Sequence, residues 1–351
     1  MSALRVALWI DPGTPLEPSV SGPAAVLGYE LAQGLAEHCA ANEDLAVDLF
    51  AGRGSQVELP LVSLDPEELP GGGSLEASGR RLDALFCQLV LSGMTRGYDL
   101  VHCLAPVVTP LQLVAAAGTP VLHSPLVAAD HPAALLPPRL VAPPLLRRLR
   151  FTAAPQSGLV VEWSTAGGRS REAIEEAPVA VTLGVDLVRY RPVAEPRGDF
   201  LAWSGAGGGQ GRKLATAVAE EVGMELWSPA QGGAEDLLPY ARALLHPASE
   251  AGGIEALWPL RALACAVPVI AVAGGELDEV FGEESCGALP AWEIAADPTA
   301  MAAAVVDVLE ALPRPSPEVI QARRRRALGH HNRRAMVARC RELYAAMREA
   351  K

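Results

Sequence analysis

Short apolar runs recur along the chain, and most are followed by a segment whose apolar residues return every three or four positions. In the first half the runs are "LRVALWI", "LAVDLF", "YDLVHCL", "TPVLHS" and "GLVVEWS". Runs of this length, bounded by Gly, Pro and polar residues, predict buried strands. Between them, "GPAAVLGYELAQGLAEHCA" and "SGRRLDALFCQLVLSGM" carry the helical period, with Leu82, Leu85, Phe86, Leu89 and Val90 on one stripe of the second. Strands alternating with helices predict β-α units that build a parallel sheet. The segment from Asp65 to Ser74, "DPEELPGGGS", reads as a loop.

The rhythm breaks at "VTLGVDLVRYRPVAEPRGD", and its prolines and charges predict a linker near Leu183 to Gly198. A second series follows: strand "DFLAWSG", helix "RKLATAVAEEVG", strands "MELWSP" and "ARALLHP", a helix around Pro259 to Ala266, and strand "VPVIAV". The fold class expected is therefore α/β, with two doubly wound, Rossmann-like parallel sheets. The boundaries are 1–185 for the first domain, 186–328 for the second and 329–351 for a terminal helix. Ligands of open α/β sheets bind beyond the C-terminal strand ends, which places the expected site in a cleft between the domains.

The chain has 351 residues, enough for two domains with a core each. Its six cysteines (Cys39, Cys87, Cys103, Cys265, Cys286 and Cys340) form no C-x-x-C pair and mostly sit among apolar residues. They read as reduced thiols of a cytoplasmic protein. The opening "MSALRVALWIDPG" is too short and too soon broken for a signal peptide or a span. A net charge of -12 argues against nucleic acid as a partner. The C-terminal end departs from that balance: Arg323 to Lys351 holds ten Lys or Arg against two Glu. A solvated helix face explains it, and contact with anionic lipid or a protein partner is the sharper alternative, through Arg333, Arg334, Arg339 and Arg341.

Taken in order, "SVSGPAAVLGYELAQGLA", "YDLVHC", "PVLHS", "LGVDLVRYRP", "FLAWSGAGGGQG", "ALLHPASEAGG" and "ALACAVPVIAVAGGELDEV" resemble the family-4 retaining glycosyltransferases of the GT-B fold. The resemblance covers almost the whole chain. It implies a nucleotide-sugar donor as substrate, a separate acceptor, retention of configuration, and neither a cofactor nor an essential metal. It makes the first domain the acceptor side and the second the nucleotide-sugar side, with the last helix returning to brace the first.

In that family an Arg and a Lys after the first strand of the second domain face the departing diphosphate, and two Glu eight positions apart hold the sugar and the ribose. Here Ala206 and Gln210 stand at the cation positions, within a loop that begins at Ser204 and Gly205. Arg212 and Lys213 are nearby substitutes, and the glycine run offers backbone amides to a phosphate. Anchoring on "ALACAVPVIA" puts Gly253 and Arg261 at the two carboxylate positions, whereas anchoring on "EAGG" matches Glu250 to the first. Glu255 is a displaced candidate, though a Glu in a helix's first turn is also favoured by the dipole. Gly252 and Gly253 form the turn. Between "MELWSP" and "ALLHP" the family carries a further strand and helix, where this chain has only "AQGGAEDLLPY", so the second domain is expected to be shortened.

In the first domain the resemblance makes Gly22 a phosphate-loop residue and places His102 and His123 toward the cleft. Without it, a His ending a buried strand reads as a hydrogen-bonded structural residue. No metal-ligand spacing, P-loop or nucleophile elbow is present. The candidate set is catalytic His123, Glu250 and Glu255, and donor-binding Gly22, Ser204, Gly205, Gln210, Arg212, Lys213, Gly252 and Gly253. Two functions remain: an active sugar transferase, or a catalytically degenerate homologue that binds a sugar, a nucleotide or a partner protein.

Overall fold

In the computed structural model the first apolar run becomes β1 (Leu4–Trp9), a strand with only Arg5 exposed. Such near-continuous burial suits a parallel strand covered on both faces. The structure describes residues 3–10, 15–17, 23–64, 84, 86–88, 90–91, 93, 97–105, 114, 117–124, 149–151, 160–165, 168–173, 184–193, 198–204, 208–228, 237–246, 257–272, 291–294, 299, 302–303, 306, 320–321, 324, 328–329 and 331–349. Packing divides the chain into two units, Met1–Val181 with Val337–Lys351, and Thr182–Met336. Among the described residues no helix is long and apolar enough to cross a membrane.

The first unit continues with α1 (Pro23–Ala41), β2 (Leu45–Gly52), β3 (Leu61–Leu64), β4 (Leu100–Cys103), β5 (Val121–His123) and β6 (Leu149–Phe151). The six strands are parallel in the order β3-β2-β1-β4-β5-β6. Pro23 opens α1, where its fixed φ suits the helix and its missing N–H costs nothing. Gly28 lets that helix approach closely, since a Cβ there would come 3.3 Å from Ile10. At the far end of α1, Asp44 accepts from His38 Nε2 (2.9 Å) and from Arg341 (2.5 Å). These contacts, His38 first, hold its carboxyl below the usual range.

One expectation is corrected here. "GLVVEWS" supplies a strand, β7 (Val160–Thr165), but it pairs antiparallel with β8 (Gly168–Ala173) in a separate two-stranded ribbon. Only Ala166 and Gly167 separate the two strands in sequence, and so short a connection permits a hairpin but not a parallel crossover.

The second unit contains β9 (Phe200–Trp203), α2 (Gly208–Val222), β10 (Glu225–Trp227), a 3-10 turn at Leu238–Tyr240, β11 (Leu244–His246), α3 (Leu257–Ala264), β12 (Val269–Val272) and β13 (Ala291–Ile294). Its parallel sheet runs β10-β9-β11-β12-β13, with β10 and β13 at its edges. Leu201, Trp203, Leu245 and Ile270 pack with Ala215, Val218 and Ala219 of α2 in one buried cluster. Trp227 and Leu244 both pair with Ala202 and so share the opposite face. Trp227 meets Trp258 there at 6.1 Å, which brings α3 to that face.

The motif "LGVDLVRYRP" forms a turn clasped by basic side chains. Asp186 Oδ1 accepts from the amides of Val188 and Arg189, while its Oδ2 pairs with Arg333 at 3.0 Å. Arg324 donates to the carbonyls of Leu187 and Tyr190. Gly184 is required where it stands, because a Cβ would fall 2.8 Å from that of Met336. The last helix, α4 (Arg333–Glu349), gives Arg333–Met336 to the second unit and the rest to the first.

Candidate functional site

A parallel sheet opens a crevice where its strand order reverses, at the C-terminal ends of the two strands that flank the reversal. In the second unit the order turns between β9 and β11, since β10 lies on one side of β9 and β11 on the other. Ser204 follows β9 directly and His246 ends β11. Their side chains meet there, His246 Nδ1 lying 3.0 Å from Ser204 Oγ. The Ser204 amide also donates to the Leu245 carbonyl at 3.0 Å, which ties the loop after β9 to the neighbouring strand.

Both residues are buried, Ser204 at 5% and His246 at 4% exposure. Burial pulls the His246 pKa down to about 4, so the ring is neutral at physiological pH. A neutral imidazole has one donor and one acceptor nitrogen and fits a hydroxyl on one side and a polar ligand on the other. By strand alternation Ser204 and His246 extend the Ala202 face, the face that α3 covers. Helix α2 begins at Gly208, shortly after Ser204, with backbone amides at its first turn.

Arg261 on α3, which the "ALACAVPVIA" anchoring aligns with a carboxylate position and the "EAGG" anchoring does not, is 4% exposed. Its guanidinium carbon lies 4.6 Å from the Tyr190 ring centre and 5.3 Å from that of Trp258. Cation–π contact of this kind is strongest where water is excluded.

The first sheet reverses between β1 and β4. Among the described residues of its central strands, His102 and His123 are buried, both 1% exposed. His123 ends β5 and donates from Nε2 to the Ala105 carbonyl at 3.2 Å. Burial lowers its pKa to about 4, against the opposing effect of that carbonyl. His102, inside β4, lies 2.8 Å from Ser124 Oγ through Nε2 and 2.7 Å from Tyr344 Oη through Nδ1. Burial, helped by His123, brings its pKa to about 3.

Of the expected site residues, the structure places Ser204 at the reversal point of the second sheet and His123 at the end of β5. Gln210 lies in the first turn of α2, while Arg212 and Lys213 are exposed on its second turn. Gly22, Gly205, Glu250, Gly252, Gly253 and Glu255 lie outside the described residues. His246 was not singled out from the sequence, although "ALLHP" carries the same signal that marked His102 and His123, a His closing an apolar run. Among the described residues no group of three or more His, Cys, Asp or Glu is placed to hold a metal ion.

Two Rossmann-like units with parallel sheets of this order define a GT-B fold. Solved structures that share it include AviGT4, a glycosyltransferase involved in avilamycin A biosynthesis, at 19% identity with 99% of each chain covered and a TM-score of 0.59. Sucrose-phosphate synthase from Thermosynechococcus elongatus aligns over 99% of this chain and 100% of its own, at 15% identity and a TM-score of 0.65. Anabaena HepE, in complex with UDP and glucose, aligns over 98% and 100% at 13% identity, with a TM-score of 0.62. No protein-family model matches the chain, and no curated protein matches it either.

Proposed function

We propose that the protein is a glycosyltransferase that takes a nucleotide-sugar donor in its second unit and transfers the sugar to an acceptor held by the first, with retention of configuration. The observation that carries this reading is the Ser204–His246 pair, a buried, neutral hydrogen-bonded couple at the reversal point of the second sheet. A polar pair at that point is suited to a ligand with several hydrogen-bonding groups. The glycine-rich start of α2 supplies amides for a diphosphate. The complex of HepE with UDP and glucose supports the choice of ligand class on the shared fold.

The donor groups in this reading are Ser204, His246, Gln210 and the loop glycines Gly205, Gly252 and Gly253, with Arg212 and Lys213 as the nearest cations. Glu250 and Glu255 are the carboxylates proposed to face the sugar. His123 and Gly22 belong to the first unit's side of the reaction. No cofactor is needed for such a transfer.

A second reading has its own support. Arg261, aligned with a carboxylate position of the resembled family when the "ALACAVPVIA" anchoring is used, is stacked on Tyr190 and Trp258, while Arg212 and Lys213 are exposed. Each lost charged contact to a transition state removes a factor of roughly 100 to 1000 in rate. A degenerate homologue that binds a nucleotide, a sugar or a partner protein without turnover fits these features. In either reading the basic residues of α4 have structural partners: Arg333 pairs with Asp186 and Arg341 with Asp44, while Arg339 pairs with Glu342 within the helix.

The deciding experiment is thermal unfolding of the full chain with UDP, GDP, ADP, CMP and their sugar conjugates. A ligand at 100 times its Kd stabilises the native state by about 2.7 kcal/mol, and a rise of roughly 5 °C or more with one base is expected. Transfer to a panel of acceptors then separates the two readings. A folded protein that responds to none of them refutes the donor-site reading.

A further inference from the structure

The register of the second sheet lines up a polar row at its C-terminal end. Directly opposed positions on neighbouring parallel strands share a face, so each line of register is a lateral row across the sheet. His246 of β11 pairs with Ala271 of β12, and Ala271 pairs with Glu293 of β13. Leu244 pairs with Ala202, so two residues further on His246 stands beside Ser204. The row reads Ser204, His246, Ala271, Glu293. Strands β9, β11, β12 and β13 have the sequences FLAW, LLH, VIAV and AWEI, and Glu293 is the one charged residue in them. An edge strand accepts a charge at many positions to block further pairing. Glu293 stands in the row that also holds the Ser204–His246 pair.

The imidazole gives this row a direction. Its Nδ1 meets Ser204 Oγ at 3.0 Å, on the β9 side. The two nitrogens lie on opposite flanks of the ring, so Nε2 is turned away from β9 and toward the side of β12 and β13. Nε2 has no hydrogen-bond partner among the described residues, although His246 is only 4% exposed. A largely buried ring nitrogen gains from a partner, and a ligand group is one way to supply it. On that side β12 contributes an alanine and β13 contributes Glu293. Neighbouring strands lie about 4.8 Å apart, which sets the backbones of His246 and Glu293 about 10 Å from each other. With an alanine as the residue between them, that interval suits one hydroxyl-bearing ring.

We propose that this row is a hydroxyl-recognition subsite of the second unit, taking a vicinal diol between His246 and Glu293, with Glu293 as a specificity-determining residue. The inference rests on the donor-site reading above. A neutral imidazole nitrogen makes one hydrogen bond, as donor or acceptor, whereas an ionised carboxylate accepts from two hydroxyls at once. Hydrogen bonds to a charged group are the stronger kind, so the carboxylate carries most of the discrimination between a diol and an analogue without it. The ribose of a nucleotide and the sugar attached to it both present such a diol.

The test is calorimetric titration of the full chain and of Glu293→Gln with UDP, GDP and ADP, with their glucose and mannose conjugates, and with their analogues lacking both ribose hydroxyls. Glu293→Gln keeps the shape and removes the charge. The expected result is a loss of about tenfold in affinity for a ligand whose diol is seated in the row, and no change for one without it. If the ribose is seated there, a diphosphate and its sugar conjugates weaken alike, and the analogue lacking ribose hydroxyls does not respond. If the sugar is seated there, only the conjugate weakens. Affinities that stay unchanged throughout overturn the subsite and leave the donor-site reading standing. An equal loss for every ligand, the analogues included, overturns it as well, because a general disturbance of the site and not a diol would be the cause. Where Glu293→Gln does not fold, Ala271→Leu fills the same interval from the strand between and is expected to give the same pattern. Unchanged binding in a folded Ala271→Leu overturns the subsite. A folded wild type that binds no nucleotide and no nucleotide sugar refutes the donor-site reading and the subsite together.

Discussion

Arg261 on α3 holds its guanidinium between two aromatic rings, 4.6 Å from the centre of Tyr190 and 5.3 Å from that of Trp258. It links the helix to the 186–190 turn, which Arg324 and Arg333 clasp as well. Under the "ALACAVPVIA" anchoring, Arg261→Glu would put a carboxylate where the resembled family has one. In this chain it would instead bury a negative charge against the rings of Tyr190 and Trp258. The expected result is a loss of about 3 to 5 kcal/mol in urea unfolding and no gain in nucleotide affinity. A stable variant that binds nucleotide more tightly would show that this position still faces the donor.

Ser204→Ala leaves His246 Nδ1 buried without its hydroxyl partner, at a cost of about 1 to 3 kcal/mol. Ser204→Ala with His246→Leu removes both polar groups and is expected to cost less than the sum of the two single changes. A double-mutant cycle of urea unfolding reads this coupling. If the pair holds the donor, Ser204→Ala also removes most of the thermal shift given by the wild type's best nucleotide.

The buried histidines make the fold sensitive to mild acid. His102 is lowered to about 3, and His123 and His246 to about 4, chiefly by burial. Unfolded, each takes up a proton near pH 6.5, whereas in the native state it stays neutral until much lower pH. The unfolded state therefore binds more protons between about pH 6.5 and 4. Stability is full above that window and falls as pH drops, by up to about 1.4 kcal/mol per pH unit for each histidine. His246→Asn is expected to lower the slope of unfolding free energy against pH by about one proton, and an unchanged slope would count against a neutral, buried His246.

Ala266 closes α3 with φ 57°, the left-handed conformation that favours glycine. The amides of Ala266 and Val267 donate back to the carbonyls of Leu263 and Ala262, so the geometry is fixed by the helix end. Ala266→Gly is expected to raise stability by about 1 kcal/mol in urea unfolding. No change, or a loss, would mean that the Ala266 methyl packs well enough to offset the strain.

The strands with long apolar runs were legible in the sequence: β1, β4, β5, β9, β10, β11 and β12 fall within expected segments, and β2 runs two residues beyond its own. The missed ones are short or polar. Strand β3 is four residues between Pro60 and Asp65, and β6 is "LRF" after two arginines. The helix expected over Pro259 to Ala266 begins at Leu257 instead, because Pro259 is tolerated in a first turn and does not mark its start. The pairing of "GLVVEWS" depended on the sequence after it, where a two-residue connection permits only an antiparallel neighbour. At the site, Ser204 was visible from its loop, and His246 carried the same strand-ending signal as His102 and His123 without being singled out. The meeting of these two depends on β9 and β11 being neighbours, a fact of strand order that no local pattern encodes.

The last helix completes a unit begun at the other end of the chain. Cys340, Tyr344 and Met347 are buried residues of the first unit, yet they are synthesised after all of Thr182–Met336. At about 5 to 20 residues per second, a ribosome spends on the order of 10 to 30 s making the intervening segment. During that interval the nascent first unit exposes the apolar surface that the helix later covers, and His102 waits for its tyrosine. Translation speed and chaperone access over that stretch therefore bear on the yield of native protein, and a stop codon just upstream of the helix would strand an otherwise finished sheet in its aggregation-prone state.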